Sequence, residues 1–286
     1  MYAFLKIFTN FITMFPLKPL YFISKFITKF IFFILPAKRK NVFENYKIIF
    51  QRLNNFSDVD PKMINQVINK NFEYYGMLNV EFLYINKLIN KIDTDFIGKE
   101  YLKQSLEKGK GFLLATLHMA NWDLAGIMLA TNFRPVYAIV DDLGGGYSKY
   151  IQETRQMYGM NVILPNKNLK EAYSCLKNNH ILNVLIDRPA SKKEKGVIVD
   201  FFGKKAYVAT VAARIALATG VPLALGYCIR TNDNFKGILR KPINFEPTGN
   251  QENDIQILTQ KIFIEAEEVI AKYPDQWYMF RRMWNL

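Results

Sequence analysis

Residues 111–123 read Gly111-Phe-Leu-Leu-Ala-Thr-Leu-His118-Met-Ala-Asn-Trp-Asp123, and the change of pattern at His118 decides the fold. The apolar run 111–117 is too short for a typical helix and has Lys-Gly before it and Asn-Trp-Asp after it, so it reads as a buried strand. Asn121 is a capping residue type. It predicts a helix beginning just after it, with Asp123 in the first turn, where the helix dipole favours an anion. On one continuous helix, five residues turn about 500°, and His118 and Asp123 would point about 140° apart. A strand that bends into a helix instead lets the carboxylate swing back to the imidazole. A carboxylate bonded to one ring nitrogen fixes the tautomer and leaves the other nitrogen free to accept a proton. His118 and Asp123 are thus the candidate catalytic pair; the plain alternative is a capped helix beside a surface histidine.

The same alternation continues outward. Strands are expected at 111–117, 135–140, 161–164, 181–186, 197–201, 221–229 and 236–241, with helices at 122–131, 147–158, 168–178, 207–219 and 252–272. Residues 42–92 read as helical, with Asp60-Pro61 as a start signal. This order predicts an α/β fold with a mixed, mostly parallel sheet flanked by helices. Residues 1–40 form a membrane-associated front end and 41–286 the catalytic domain.

Charge is uneven. The chain carries +13, yet residues 1–56 hold nine Lys or Arg against Glu44 alone, which is +8 in the first fifth. With Phe, Ile and Leu so abundant there, this points to an anionic membrane surface rather than nucleic acid. Pro16 and Pro19 break the leading apolar stretch and Pro36 ends it. Residues 20–35 fall short of the roughly 20 apolar residues a span requires. Lys25 and Lys29 also favour an amphipathic helix lying in the interface, their ammonium groups among the headgroups. No small-residue cleavage site follows, so a cleaved signal is not expected. Lys38-Arg39-Lys40 places the catalytic domain on the cytoplasmic face.

Further site candidates follow from position and chemistry. Asp187 and Arg188 end an apolar strand, where charged groups face the crevice of an α/β sheet; an ion pair in a loop is the alternative. Phe201, Phe202 and Gly203 lie at an expected strand-to-helix turn, lining an apolar groove or packing in the core. Arg155 offers a phosphate ligand on the 147–158 helix. Gly144-Gly-Gly146 lacks nucleotide-binding spacing, and His180 reads as structural. Cys175 and Cys228 fit neither a disulfide framework nor a zinc site and are taken as packing residues. No metal or cofactor is expected.

Taken together, these features resemble the bacterial lipid A late acyltransferases, within the lysophospholipid acyltransferase superfamily. The resemblance rests on His118-Met-Ala-Asn-Trp-Asp123, on Arg155 with Gly159, on Asp187 followed by Phe201-Phe-Gly203, and on Tyr273-Pro-Asp-Gln-Trp277 with Arg281-Arg282. Asp123 stands where the late acyltransferases usually carry Glu. The resemblance implies a glycerolipid-acyltransferase-like fold and O-acyl transfer at the inner membrane. Acyl carrier protein would be the donor and a lipid A precursor the acceptor, or else another glycolipid or a lysophospholipid. His118 would be the general base and Asp123 its orienting acid. Asn121, Trp122, Arg155, Asp187, Arg188, Phe201, Phe202, Gly203 and Arg281 are the expected substrate-binding residues. The competing class is a non-enzymatic protein of membrane surfaces or nucleic acid, in which His118 is incidental.

Overall fold

Proline sets the first boundaries. The computed structural model describes residues 2–89, 96–133, 135–140, 144–164, 169–191, 194–232 and 234–284. Helix α1 (Tyr2–Ile12) stops before Pro16, α2 (Leu17–Phe33) follows it, and Pro36 opens α3 (Pro36–Leu53). Pro19 does not break the chain, because it falls in the first turn of α2, where its missing N–H has no intrahelical partner to lose. Helices α2 and α3 meet at 97°, and among the described residues no single helix is long and apolar enough to cross a membrane. Asp60 caps α4 (Pro61–Leu83), accepting the Lys62 amide at 2.8 Å, and α5 (Ile85–Leu88) follows. Residues 90–92 of the expected helical stretch, and residue 168 of a later one, lie outside the described residues.

Helix α2 is seated on α4 at close range. A Cβ on Gly76 would lie 2.6 Å from Thr28 Oγ1 and 2.8 Å from the Ser24 carbonyl, so only glycine permits this approach. Phe32 stacks on Phe72 at 3.8 Å. Lys25 and Lys29 pair with Glu73 of α4. The lysines expected among lipid headgroups are therefore turned onto the protein. The opposite face of α2 is left exposed, with Phe22, Ile23, Phe26, Ile27, Phe30 and Phe33 along it.

The remaining elements are β1 (Phe96–Ile97), α6 (Lys99–Glu107), β2 (Phe112–Thr116), α7 (Trp122–Asn132), β3 (Val136–Ile139), α8 (Gly145–Met157), β4 (Met160–Ile163), α9 (Lys170–Lys177), β5 (Ile181–Leu185), β6 (Gly196–Phe201), β7 (Lys204–Ala209), α10 (Val211–Thr219), β8 (Leu223–Thr231), β9 (Asn234–Leu239) and α11 (Gln251–Lys272). Among the described residues, seven strands form one sheet in the order β1-β9-β8-β2-β5-β3-β4. Every neighbouring pair is parallel except β8 and β9. The mixed, mostly parallel sheet is as expected. Strand β2 lies at its centre and is buried on both faces. Leu113 and Ala115 enter one core layer, Phe112 and Leu114 the other, hence the unbroken apolar run in its sequence.

One expected boundary is corrected. Residues 201–203 do not lead into a helix near Ala206. Strand β6 turns back as β7 in a separate hairpin, with Phe201 opposite Lys204. Phe202 (φ +53°) and Gly203 (φ +69°) make the two-residue turn, both in the left-handed region that tight hairpins demand. Residues 204–209 alternate, with Ala206 and Val208 buried, and the helix starts only at Val211. The alanine-rich run that follows hid this period-two signal.

Candidate active site

Parallel register brings the central pair together. Thr116 of β2 lies opposite Leu185 of β5, so two residues further on His118 and Asp187 come level. Three donors converge on the Asp187 carboxylate. His118 Nδ1 lies 2.6 Å from Oδ1, while the His118 amide at 2.8 Å and the Trp277 indole N–H at 2.7 Å donate to Oδ2. The site is closed off, with the imidazole 6% exposed and Asp187 not at all. Burial opposes ionisation of Asp187, but the imidazole, the amide and the indole outweigh it and hold the carboxyl below the usual carboxylate range. An ionised carboxylate only accepts, so Nδ1 carries a proton, and in the neutral ring Nε2 is the nitrogen left with a lone pair.

The carboxylate bonded to the His118 ring is Asp187, where the sequence pattern places Asp123. Asn121 does cap α7, accepting the Leu124 amide at 2.9 Å, and Asp123 does sit in the first turn. That cap fixes the turn so that Asp123 faces α8 and meets Arg155, whose Nε and Nη2 lie 2.7 and 2.6 Å from Oδ1. Trp122, the first residue of α7, packs edge-on against the His118 ring at 5.2 Å.

The bend bearing His118 is clamped from behind by the carboxyl-terminal segment. The Tyr278 amide donates to the His118 carbonyl at 2.9 Å, and the Ala120 amide donates to the Gln276 carbonyl at 3.1 Å. Ala120 holds φ at +44°, a conformation uncommon for a residue with a Cβ and sustained here by its surroundings.

An apolar slot of about 40 Å³ runs from this bend between α7 and the sheet. Leu114 and Thr116 of β2 and Asn183 and Leu185 of β5 face it by strand alternation, and Trp122, Ala125, Gly126 and Leu129 face it from α7. Asp123 and Arg155 line it too, at its polar end.

The other expected site residues separate. Phe201 and Phe202 are fully buried and do not line the slot. They pack against Trp284, and Phe201 also meets Trp277 at 6.2 Å, so Phe201 backs the indole that holds Asp187. Gly203, at the hairpin turn, lies against the Phe56 ring. Arg188 is half-buried beside Tyr75, whose hydroxyl burial pushes up and the Arg188 charge opposes. Arg281 is exposed. His180 stacks on Tyr137 at 5.6 Å, away from the pair. Burial pushes the Cys175 and Cys228 thiols up to about 12, which leaves them unreactive as nucleophiles. Among the described residues no three His, Cys, Asp or Glu side chains gather as a metal-binding group. Sequence reasoning assigned no role to Trp277, Gln276 or Glu81, since each acquires its place through contacts remote in the chain.

A sequence model of the family described as bacterial lipid A biosynthesis acyltransferase matches residues 1–285. The chain is 26% identical over 196 residues to a phosphatidylinositol mannoside acyltransferase of Mycolicibacterium smegmatis, covering 66% of this chain and 62% of that protein. It is 25% identical over 204 residues to the protein of the same name from Mycobacterium tuberculosis, covering 69% and 62%. A lipid A biosynthesis acyltransferase of Haemophilus influenzae is 24% identical over 190 residues, covering 64% and 57%. The chain therefore spans about three fifths of the length of the curated relatives it matches. By the match along nearly its whole length, the chain belongs to the bacterial lipid A biosynthesis acyltransferase family.

Proposed function

We propose that the protein is a membrane-surface O-acyltransferase that moves a fatty acyl chain from the thioester of acyl carrier protein to a hydroxyl of a lipid A precursor. The observation that carries this reading is the His118–Asp187 bond, set beside the slot that Trp122 and Asp123 line. His118 Nε2 takes the proton of the acceptor hydroxyl as its oxygen attacks the thioester carbonyl. The tetrahedral oxyanion is met by the Trp122 and Asp123 amides at the start of α7, ahead of the capped Leu124 amide. Collapse breaks the carbon–sulfur bond, and the imidazolium passes its proton from Nε2 to the leaving sulfur, which departs as the carrier's thiol and restores the neutral ring. Asp123 fixes Arg155 at the polar end of the slot, where Arg155 and Arg188 supply positive charge for the acceptor's phosphates. The basic surface favours encounter with the acidic carrier protein. The names of two relatives favour a second acceptor, a mannosylated phosphatidylinositol. Incubation with acyl-carrier thioester and either a tetra-acylated disaccharide lipid or a mannosylated phosphatidylinositol, followed by mass spectrometry, tests both. A product heavier by one acyl group identifies the acceptor, and no such product from either lipid defeats the reading.

The acyl chain occupies the slot in this scheme. Ala125→Phe fills part of it and should shift the preference toward shorter donors. Each buried methylene is worth about 0.8 kcal/mol, so excluding two changes the selectivity roughly tenfold. Competition between donors of two lengths measures it.

Membrane docking rests on α1 and α2. Phe4, Ile7, Phe8 and Phe11 of α1 are exposed, like the apolar face of α2, and apolar surface of this kind marks a membrane or protein interface. The triple change Phe22→Glu, Phe26→Glu and Phe30→Glu should lower sedimentation with anionic vesicles about tenfold or more. Unchanged sedimentation would remove this face from the docking surface.

A further inference from the structure

Glu81 of α4 lies outside the slot and has no exposed side-chain surface, yet three elements meet on it. Its Oε1 accepts the Tyr21 hydroxyl of α2 at 2.8 Å and pairs with Arg230 of β8. Its Oε2 accepts the Asn121 side-chain amide at 3.0 Å. Asn121 is therefore held at both ends, one giving the α7 cap and the other reaching Glu81.

Stability alone does not account for this cluster. A buried ion pair is weak evidence for stabilisation, because desolvation offsets the attraction. Here Arg230 also leaves Nε and Nη1 buried without hydrogen-bond partners. What the cluster does fix is direction. Gln276 grips the Arg230 backbone through both side-chain atoms, at 2.7 and 3.1 Å, and its own carbonyl takes the Ala120 amide. Arg230 through Gln276, and Glu81 through Asn121, thus hold adjacent residues of the bend that carries His118.

We propose that Glu81 is a positioning residue for acyl transfer, acting through Asn121 to set the first turn of α7 against His118, and tying that turn to α2 through Tyr21. This rests on the reading of His118 as the base. A mere structural partner for Arg230 would be indifferent to the Asn121 amide, and that difference supplies the test.

Asn121→Ser keeps a capping oxygen and removes the donor to Glu81. It should lower kcat about tenfold or more, as small misplacements of reacting groups do, with KM for the acyl donor little changed. Asn121→Asp also keeps the cap but sets a carboxylate against Glu81, and it should lose more. The double variant Asn121→Asp/Glu81→Gln exchanges amide and carboxylate at conserved total charge, so it should regain most of that loss. With only two histidines in the chain, the His118 ring can be followed by NMR: it should shift in Asn121→Ser and return in the exchange, while His180 stays still. An Asn121→Ser enzyme with unchanged kcat and an unmoved His118 signal would overturn the proposal, as would an exchange variant no better than Asn121→Asp. Absence of acyl transfer by the unaltered protein would count against the reaction instead, and the His118 signals would still judge the positioning role.

Discussion

Replacing His118 with Ala should lower acyl transfer by about 10²–10⁴-fold, the usual worth of a positioned general base, without loss of vesicle binding. The substitution is a clean one. Two of the three donors to Asp187 are the residue-118 backbone amide and the Trp277 indole, and both survive the change. The carboxylate is not stranded, and the bend keeps its bonds to Tyr278 and Gln276. Steady-state rates with an acyl-carrier thioester measure the loss. Near-normal turnover would leave the imidazole without a chemical role.

Asp187→Asn should cost about 10³–10⁴-fold in kcat for a different reason. Asp187 accepts at both oxygens, while an amide has one acceptor and one donor end. Two fixed donors, the His118 amide and the Trp277 indole, converge on the Oδ2 side, so the amide oxygen settles there. Its NH₂ then faces Nδ1, which must become an acceptor, and the ring proton moves to Nε2 where the base is needed. The variant should fold with unaltered donor KM, and NMR of the imidazole should report the opposite tautomer. A variant holding the native tautomer at full rate would show that Asp187 does not govern the ring.

The strand, bend and cap at 111–123 were legible because each is local: an apolar run, a capping residue and a first-turn acid. Asp187 was also visible as a charged residue ending a strand. That it, and not Asp123, meets the imidazole depends on the register of β2 against β5, strands whose paired residues lie 69 positions apart, and no local pattern encodes this. Phe201 and Phe202 illustrate a second limit. Aromatic residues beside a turn look the same whether they line a groove or fill a core, and only the packing of Trp284 and Phe263 on Phe201 decides. Glu81 shows a third, since an acid among the apolar residues of a helix gives no sign of partners as distant as Tyr21 and Arg230.

The close approach of α2 at Gly76 has a consequence for inheritance. A mutation that enlarges residue 76 pushes away the helix bearing the exposed phenylalanines, and with it the hydroxyl that reaches Glu81. Under the proposed function, vesicle binding and turnover would then decline as one trait. A lineage could not exchange this amino-terminal helix for an unrelated one without rebuilding the wall behind the His118–Asp187 pair.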